Sequence, residues 1–224
     1  MTPSVETPTK EDLIEGYRAA IDQLPPEAME LGFRLTVRTI QALAQGRPIA
    51  PAELVDVWGL PSEQVGALLE TSVRAGQAEV NAEGDLVGGV LTLEPTDHEI
   101  IFGDTTVYAW CALDAIWAPA VVGKTARIRS TDPVTGGTID LTVSPRGVEA
   151  VRPDRAVVTV VGPDAATDGG RQSQRCTHML FFESRGSARA WAEDAPGLAI
   201  LAPAEAHEVA VASVVEPARR VGLI

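Results

Sequence analysis

The chain has 224 residues, 45% hydrophobic and 22% charged, enough apolar content for the core of one large domain or two small ones. Its net charge of −13 repels phosphate backbones and anionic lipid surfaces, which argues against nucleic-acid and membrane partners. No segment approaches the roughly 20 apolar residues that span a bilayer, and the N-terminus lacks a basic start followed by an apolar run, so the expected compartment is the cytoplasm, where thiols stay reduced.

Residues 1–12, rich in Pro, Thr and Glu, read as a tail, and residues 12–23 as a short helix ended by Pro25-Pro26. A second helix begins near Ala28, with Phe33, Val37, Ile40 and Ala44 at helical spacing and Gly46 and Pro48 as its stop. Pro51–Val57 is a short helix. Another opens at Pro61-Ser62-Glu63, shows Val65, Leu68, Leu69 and Val73 on one face, and ends at Gly76. Ala78–Val80, a turn over 81–85 and Leu86–Leu93 carry a hairpin signature. Helices followed by a hairpin describe a winged-helix-like layout over residues 28–95. Its recognition helix offers Glu63 and Glu70 with only Arg74, so a packing role fits better than DNA binding.

In the second half His98–Phe102 is a predicted strand and Trp110–Ala118 a predicted helix, stopped by Pro119 and Gly123. Predicted strands follow at Thr125–Arg129, Thr138–Val143, Ala156–Val161 and Thr177–Phe182, with loops at 132–137 and 162–170 and helices at Ser187–Glu193 and Ala204–Val215. The expected fold class is α+β: a tail and short helix (1–27), a winged-helix-like helical domain (28–95), and an α+β catalytic domain (96–224) with a mostly antiparallel sheet and flanking helices.

The chain has two cysteines, Cys111 and Cys176. Asp114 follows Cys111 by three residues and shares its helical face. In a first helical turn, free N–H groups favour a thiolate over a thiol. Two thiols beside one carboxylate suggest a site for a soft metal with a proton source. Both cysteines as small buried hydrophobes is the plainer alternative, and spacing alone does not bring Cys176 to Cys111.

The run Tyr108-Ala109-Trp110-Cys111-Ala112-Leu113-Asp114, continued by Ala115-Ile116, Pro119-Ala120 and Gly123-Lys124-Thr125-Ala126-Arg127, closely resembles the organomercurial lyase (alkylmercury lyase) family. Leu141–Pro145 fits the family's next stretch, and Cys176 followed by Phe181-Phe182 fits its second cysteine motif. The segments 42–48 and 65–70 resemble its N-terminal helical region, so the likeness covers about residues 30–210. There are departures. Asp132 and Thr177 stand where members often carry further cysteines, and the spacing from Arg171-Gln172-Ser173 to Cys176 is altered.

The resemblance implies that Cys111, Asp114 and Cys176 are catalytic and transiently hold the product Hg(II). Soft mercury binds thiolates strongly. Two sulfurs weaken the mercury–carbon bond while an acid protonates the leaving carbon. Asp114 is that acid if burial or a nearby anionic sulfur raises its pKa. No cofactor, redox or resident metal, is called for. The implied partners are the organomercurial substrate, the Hg(II) product, cellular thiols and mercuric reductase. Tyr108, Trp110, Phe181 and Phe182 are candidates for the pocket around the organic group, with core packing the alternative for each. His178 would share the side of Cys176 if 177–182 is a strand, though a lone histidine is more often structural; His98 and His207 are weaker candidates. Competing readings are a non-catalytic winged-helix sensor or sequestering protein for soft metals, which needs no proton donor, and a thiol redox protein, which lacks closely spaced cysteines.

Overall fold

The computed structural model describes residues 7–163, 176–192 and 197–224. Helix α1 (Lys10–Asp22) starts on a capping box in which the Thr9 hydroxyl accepts from the Asp12 N–H and the Asp12 carboxylate accepts from the Thr9 N–H. Pro26 is pre-organised for the first turn of α2 (Pro26–Leu43). Helix α3 (Pro51–Trp58) closes on Gly59 in a left-handed conformation, and α4 (Ser62–Arg74) follows.

The predicted hairpin forms, but its second arm is broken. Strand β1 (Glu79–Val80) pairs with β2 (Leu86–Gly89), and Val90 at φ 75 separates β2 from β3 (Leu91–Thr92). A β-branched residue adopts that conformation at a cost of about 1–3 kcal/mol.

The sheet continues through β4 (His98–Phe102), β5 (Thr105–Ala109), β6 (Ala126–Thr131), β7 (Thr138–Ser144) and β8 (Gly147–Arg152), in the order β1-β2-β3-β5-β4-β6-β7-β8, and every pair is antiparallel. Strand β6 alternates: Ala126, Ile128 and Ser130 are buried and Arg127, Arg129 and Thr131 exposed. A smaller antiparallel sheet has β9 (Val157–Val161), buried along its whole length, between β10 (Phe181–Phe182) and β11 (Leu198–Leu201).

Helix α5 (Ala112–Val122) is the centre of the molecule. Residues 112–121 are buried on all sides, as expected of a helix that is apolar all round. It packs against β4, β5 and β7 on one side. On the other lie α2, α7 (Pro203–Ala210) and a π-helical turn (Val211–Val215). Helix α6 (Arg185–Ala192) covers the small sheet, and α8 (Glu216–Arg220) closes the chain. One apolar cluster joins Val37 and Ile40 of α2 with Ile100, Ile116, Val158 and Val209. Among the described residues, no helix is long and apolar enough to cross a membrane.

Several expectations need correction. The strand expected over Thr177–Phe182 is confined to Phe181–Phe182, because Cys176–Leu180 forms a turn held by the Met179 N–H donating to the Cys176 carbonyl at 3.1 Å. Helix α5 starts after Cys111 and runs through Pro119 to Gly123, packing having overridden the proline stop. Strands β5, β8 and β11 were not expected. The helix expected over Ala204–Val215 changes to π geometry at Val211. The loop at 164–170, Arg171-Gln172-Ser173 and Glu193 lie outside the described residues.

Candidate active site

Cys111 is the N-cap of α5, with extended backbone at φ −149 and ψ 169, and its sulfur accepts the Asp114 N–H at 3.4 Å. A thiol thus stands where a hydroxyl or carboxylate usually caps a helix. The first free N–H of the helix, on Ala112, donates to the Met179 carbonyl at 2.9 Å. This bond, with the Met179–Cys176 turn, holds the second thiol against the helix start. The Cys176 thiol donates to Asp114 Oδ2 at 3.7 Å across 62 residues of sequence. The Trp117 indole N–H donates to Asp114 Oδ1 at 3.3 Å from one helical turn away.

Cys111 is 0% exposed, Cys176 4% and Asp114 5%, and both cysteines are free thiols. The two sulfurs and one carboxylate oxygen all lie within 4.8 Å of one another. Burial pushes the Asp114 pKa up to about 6, against the opposing pull of hydrogen bonds from Cys111, Trp117 and Cys176. Burial also pushes the Cys111 thiol well up, reinforced by the Cys176 hydrogen bond and the Asp114 charge. The expectation that the helix start makes Cys111 a thiolate is therefore corrected: desolvation outweighs the Asp114 N–H. The resting thiol keeps its proton beside a carboxyl group that titrates near neutrality, so sulfur and carboxylate can exchange a proton.

A cleft of about 530 Å³ opens on this group. Asp114 and Cys176 line it, whereas Cys111 is fully buried and does not. Its walls include Tyr17 and Ile21 from α1, Phe33 from α2, Leu113 and Trp117 from α5, and Met179. The residues expected around the organic group stand elsewhere, and the described cleft lining includes none of them. Tyr108 lies on β5 between Thr92 and Glu99. Trp110 donates its backbone N–H to the Val90 carbonyl at 3.0 Å. Phe181 is fully buried opposite Val158 and meets the His98 ring edge-on at 5.7 Å. Phe182 packs on Trp191, with centroids 5.7 Å apart. The ring of His178 lies 5.9 Å from that of Trp191, and its carbonyl accepts the Thr159 hydroxyl at 2.7 Å. His98 Nδ1 is 2.8 Å from Ser130 Oγ, and burial lowers its pKa to about 4. Burial lowers that of His207 as well.

Sequence reasoning missed Trp117, although an indole three residues after a helical aspartate is a legible donor spacing. It also missed Tyr17, Ile21, Phe33 and Met179, which carry no local signal because tertiary packing brings them to the cleft.

Residues 91–214 match the sequence model of a family described as MerB: alkylmercury lyase. The alkylmercury lyase of Pseudomonas putida is 37% identical over 167 residues, covering 75% of this chain and 76% of that protein. That of Staphylococcus epidermidis is 35% identical over 188 residues, 84% and 83% of the two chains. That of Streptomyces lividans is 32% identical over 170 residues, 76% and 77%. A solved structure described as the mercury-bound form of MerB2 has the same fold, with a TM-score of 0.73 at 22% identity, over 92% of this chain and 99% of that one.

Proposed function

The chain belongs to the alkylmercury lyase family and is an enzyme that cleaves carbon–mercury bonds, and from that premise we propose that Cys111, Cys176 and Asp114 perform the cleavage. The observation that carries this reading is the convergence of two sulfurs and a carboxylate oxygen within 4.8 Å, buried at the end of the cleft.

Cys176 meets the substrate first, because it lines the cleft and the fully buried Cys111 does not. Its sulfur displaces the group X from R–Hg–X, and the Cys176 proton leaves with X. The Cys111 proton passes to Asp114 as that sulfur adds to mercury. Electron donation from two sulfurs weakens the Hg–C bond, and Asp114 delivers the proton to carbon. R–H departs, Hg(II) stays on two thiolates, and the two thiol protons end on X and on carbon. Asp114 suits both steps because burial holds its pKa near neutrality. Deep burial also keeps the developing carbanion away from bulk water. A sensor would need no such carboxyl group.

Residues 28–95 are read as a winged-helix-like unit that packs against the catalytic residues of 96–224, with 1–27 contributing α1 to the cleft. Nucleic-acid binding is not part of this reading: the one arginine of α4 pairs with Glu70 at 3.0 Å. Free thiols in the site suit the cytoplasm, where cellular thiols or mercuric reductase would take Hg(II) from the cysteines.

The test is to incubate the reduced protein with phenylmercuric acetate and excess small thiol and to measure benzene. Wild type releases it, Cys111→Ala and Cys176→Ala release none, and Asp114→Ala releases at least about a hundredfold less. Full turnover by either cysteine variant overturns the site. The order of attack is checked by mass spectrometry: Cys111→Ser retains an uncleaved phenylmercury adduct, while Cys176→Ser forms one far more slowly.

A further inference from the structure

We propose that a second cleft, opening off the catalytic one past Phe33, is the subsite for the organic group of bulky organomercurials and sets how large a group the enzyme accepts. The inference rests on the cleavage reading above.

The second cleft has a volume of about 340 Å³ and lies between α2 and the β2–β3 segment. Leu24, Phe33 and Gln77 line both clefts, so they form the partition where the two meet. Leu24 is 48% exposed, a large apolar side chain on an open rim. Beyond the partition the walls are largely apolar, with Met29, Leu35 and Trp58, and backbone at Gly88 and Gly89. The left-handed Val90 belongs to the same wall, at the turn from β2 to β3. A cavity of about 150 Å³ is enough for a benzene ring. The first cleft, of about 530 Å³, runs from Asp114 and Cys176 to that partition and takes mercury with the first ring. The outer ring of a rigid two-ring aryl group is carried along it toward Phe33 and enters the second cleft. The walls have no charged side chain among their described residues, so they select an apolar group.

Gly32 lies on α2 in the wall of the second cleft, and a Cβ built there meets nothing within 4 Å. Gly32→Leu therefore puts a side chain into that space without a backbone clash and replaces a helix-interior glycine with a better helix former. The experiment measures kcat/KM for methylmercury, phenylmercury and 4-biphenylmercury with the full-length wild type, Gly32→Leu and Phe33→Ala. In Gly32→Leu the ratio of biphenyl- to methylmercury cleavage falls on the order of tenfold, as is typical for blocking part of an apolar pocket. In Phe33→Ala, which widens the passage, the same ratio rises. A ratio that stays within about twofold of wild type in both variants overturns the subsite, as does an equal loss on all three substrates in Gly32→Leu. If wild type releases no hydrocarbon from any of them, the cleavage reading falls and takes the subsite with it. If wild type cleaves all three and the ratios do not move, only the subsite falls.

Discussion

With its carboxyl group pushed up to about 6 by burial, Asp114 is mostly ionised at pH 7 and mostly protonated at pH 5. A protonated Asp114 cannot receive a thiol proton, so kcat/KM should decline below pH about 6. Trp117→Phe removes a donor that holds the pKa down, so it should move that acid limb upward; a limb that stays put would mean the indole does not tune the carboxylate. The shift also fixes a stability trend. Between the ordinary value of 3.8 and about 6, the folded chain keeps a proton that the unfolded chain has released, so wild-type stability falls as pH rises through that window. Above it, the full penalty of about 3 kcal/mol is present. Asp114→Asn has no charge to bury. It should therefore gain stability relative to wild type from pH 4 to pH 6.5 while losing turnover, and a pH-independent difference in Tm would refute the burial argument. The Cys111–Asp114 spacing was legible because Cys111 caps the helix whose first turn carries Asp114. The protonated state of Cys111 was not, because it depends on desolvation by elements distant in sequence. Asp132, a departure from the pattern that the family resemblance implied, accepts from the Val134, Thr135 and Glu183 N–H groups and the Ser187 hydroxyl. It ties the β6–β7 turn to α6, a role for which a thiol would be a poor acceptor.

At the level of elements, the helices were the readable part, because their apolar spacing and their Pro and Gly boundaries are local. Strand β5 had a signal that went unused: Gly103-Asp104 between Phe102 and the β-branched Thr105-Thr106-Val107 is a hairpin pattern, and Gly103 adopts φ 62. Strand β8 had none, since its place at the sheet edge leaves none of its residues buried, without apolar alternation. The supposed strand at Thr177 was misread because a turn that presents a cysteine to a helix has no period. Helix α1 covers the cleft. Leu13 is fully buried, Tyr17 donates its hydroxyl to the Val161 carbonyl at 2.8 Å, and Ile21 reaches the cleft wall. Its ion pairs Lys10–Glu208, Arg18–Glu216 and Asp22–Arg220 are surface pairs that contribute little. Leu13→Ala should therefore destabilise the protein by about 2–5 kcal/mol in urea unfolding and speed thiol-reagent labelling of Cys176. High salt should change that labelling rate far less. If salt alone unmasks the thiol, the ion pairs hold the cover and the apolar contacts do not.

Across the whole molecule, the two sulfurs are delivered by separate parts of the fold: Cys111 by the start of the central helix, and Cys176 by the turn that leads into the small sheet. Only the folded chain holds them within 4.8 Å, whereas the unfolded chain presents two isolated thiols to mercury. Hg(II) bound at both sulfurs is thus selective for the native state and should stabilise it by mass action, less whatever single thiols bind in the unfolded chain. One equivalent of Hg(II) should raise the Tm of wild type by about 5 °C or more, since each kcal/mol is worth roughly 2–4 °C at this size. A second equivalent should add nothing further, and Cys111→Ser and Cys176→Ser should each lose most of the rise. Saturation only at two equivalents, with each single variant retaining half the effect, would mean that the sulfurs bind mercury independently, and then the fold does not build the two-sulfur centre on which the proposed cleavage rests.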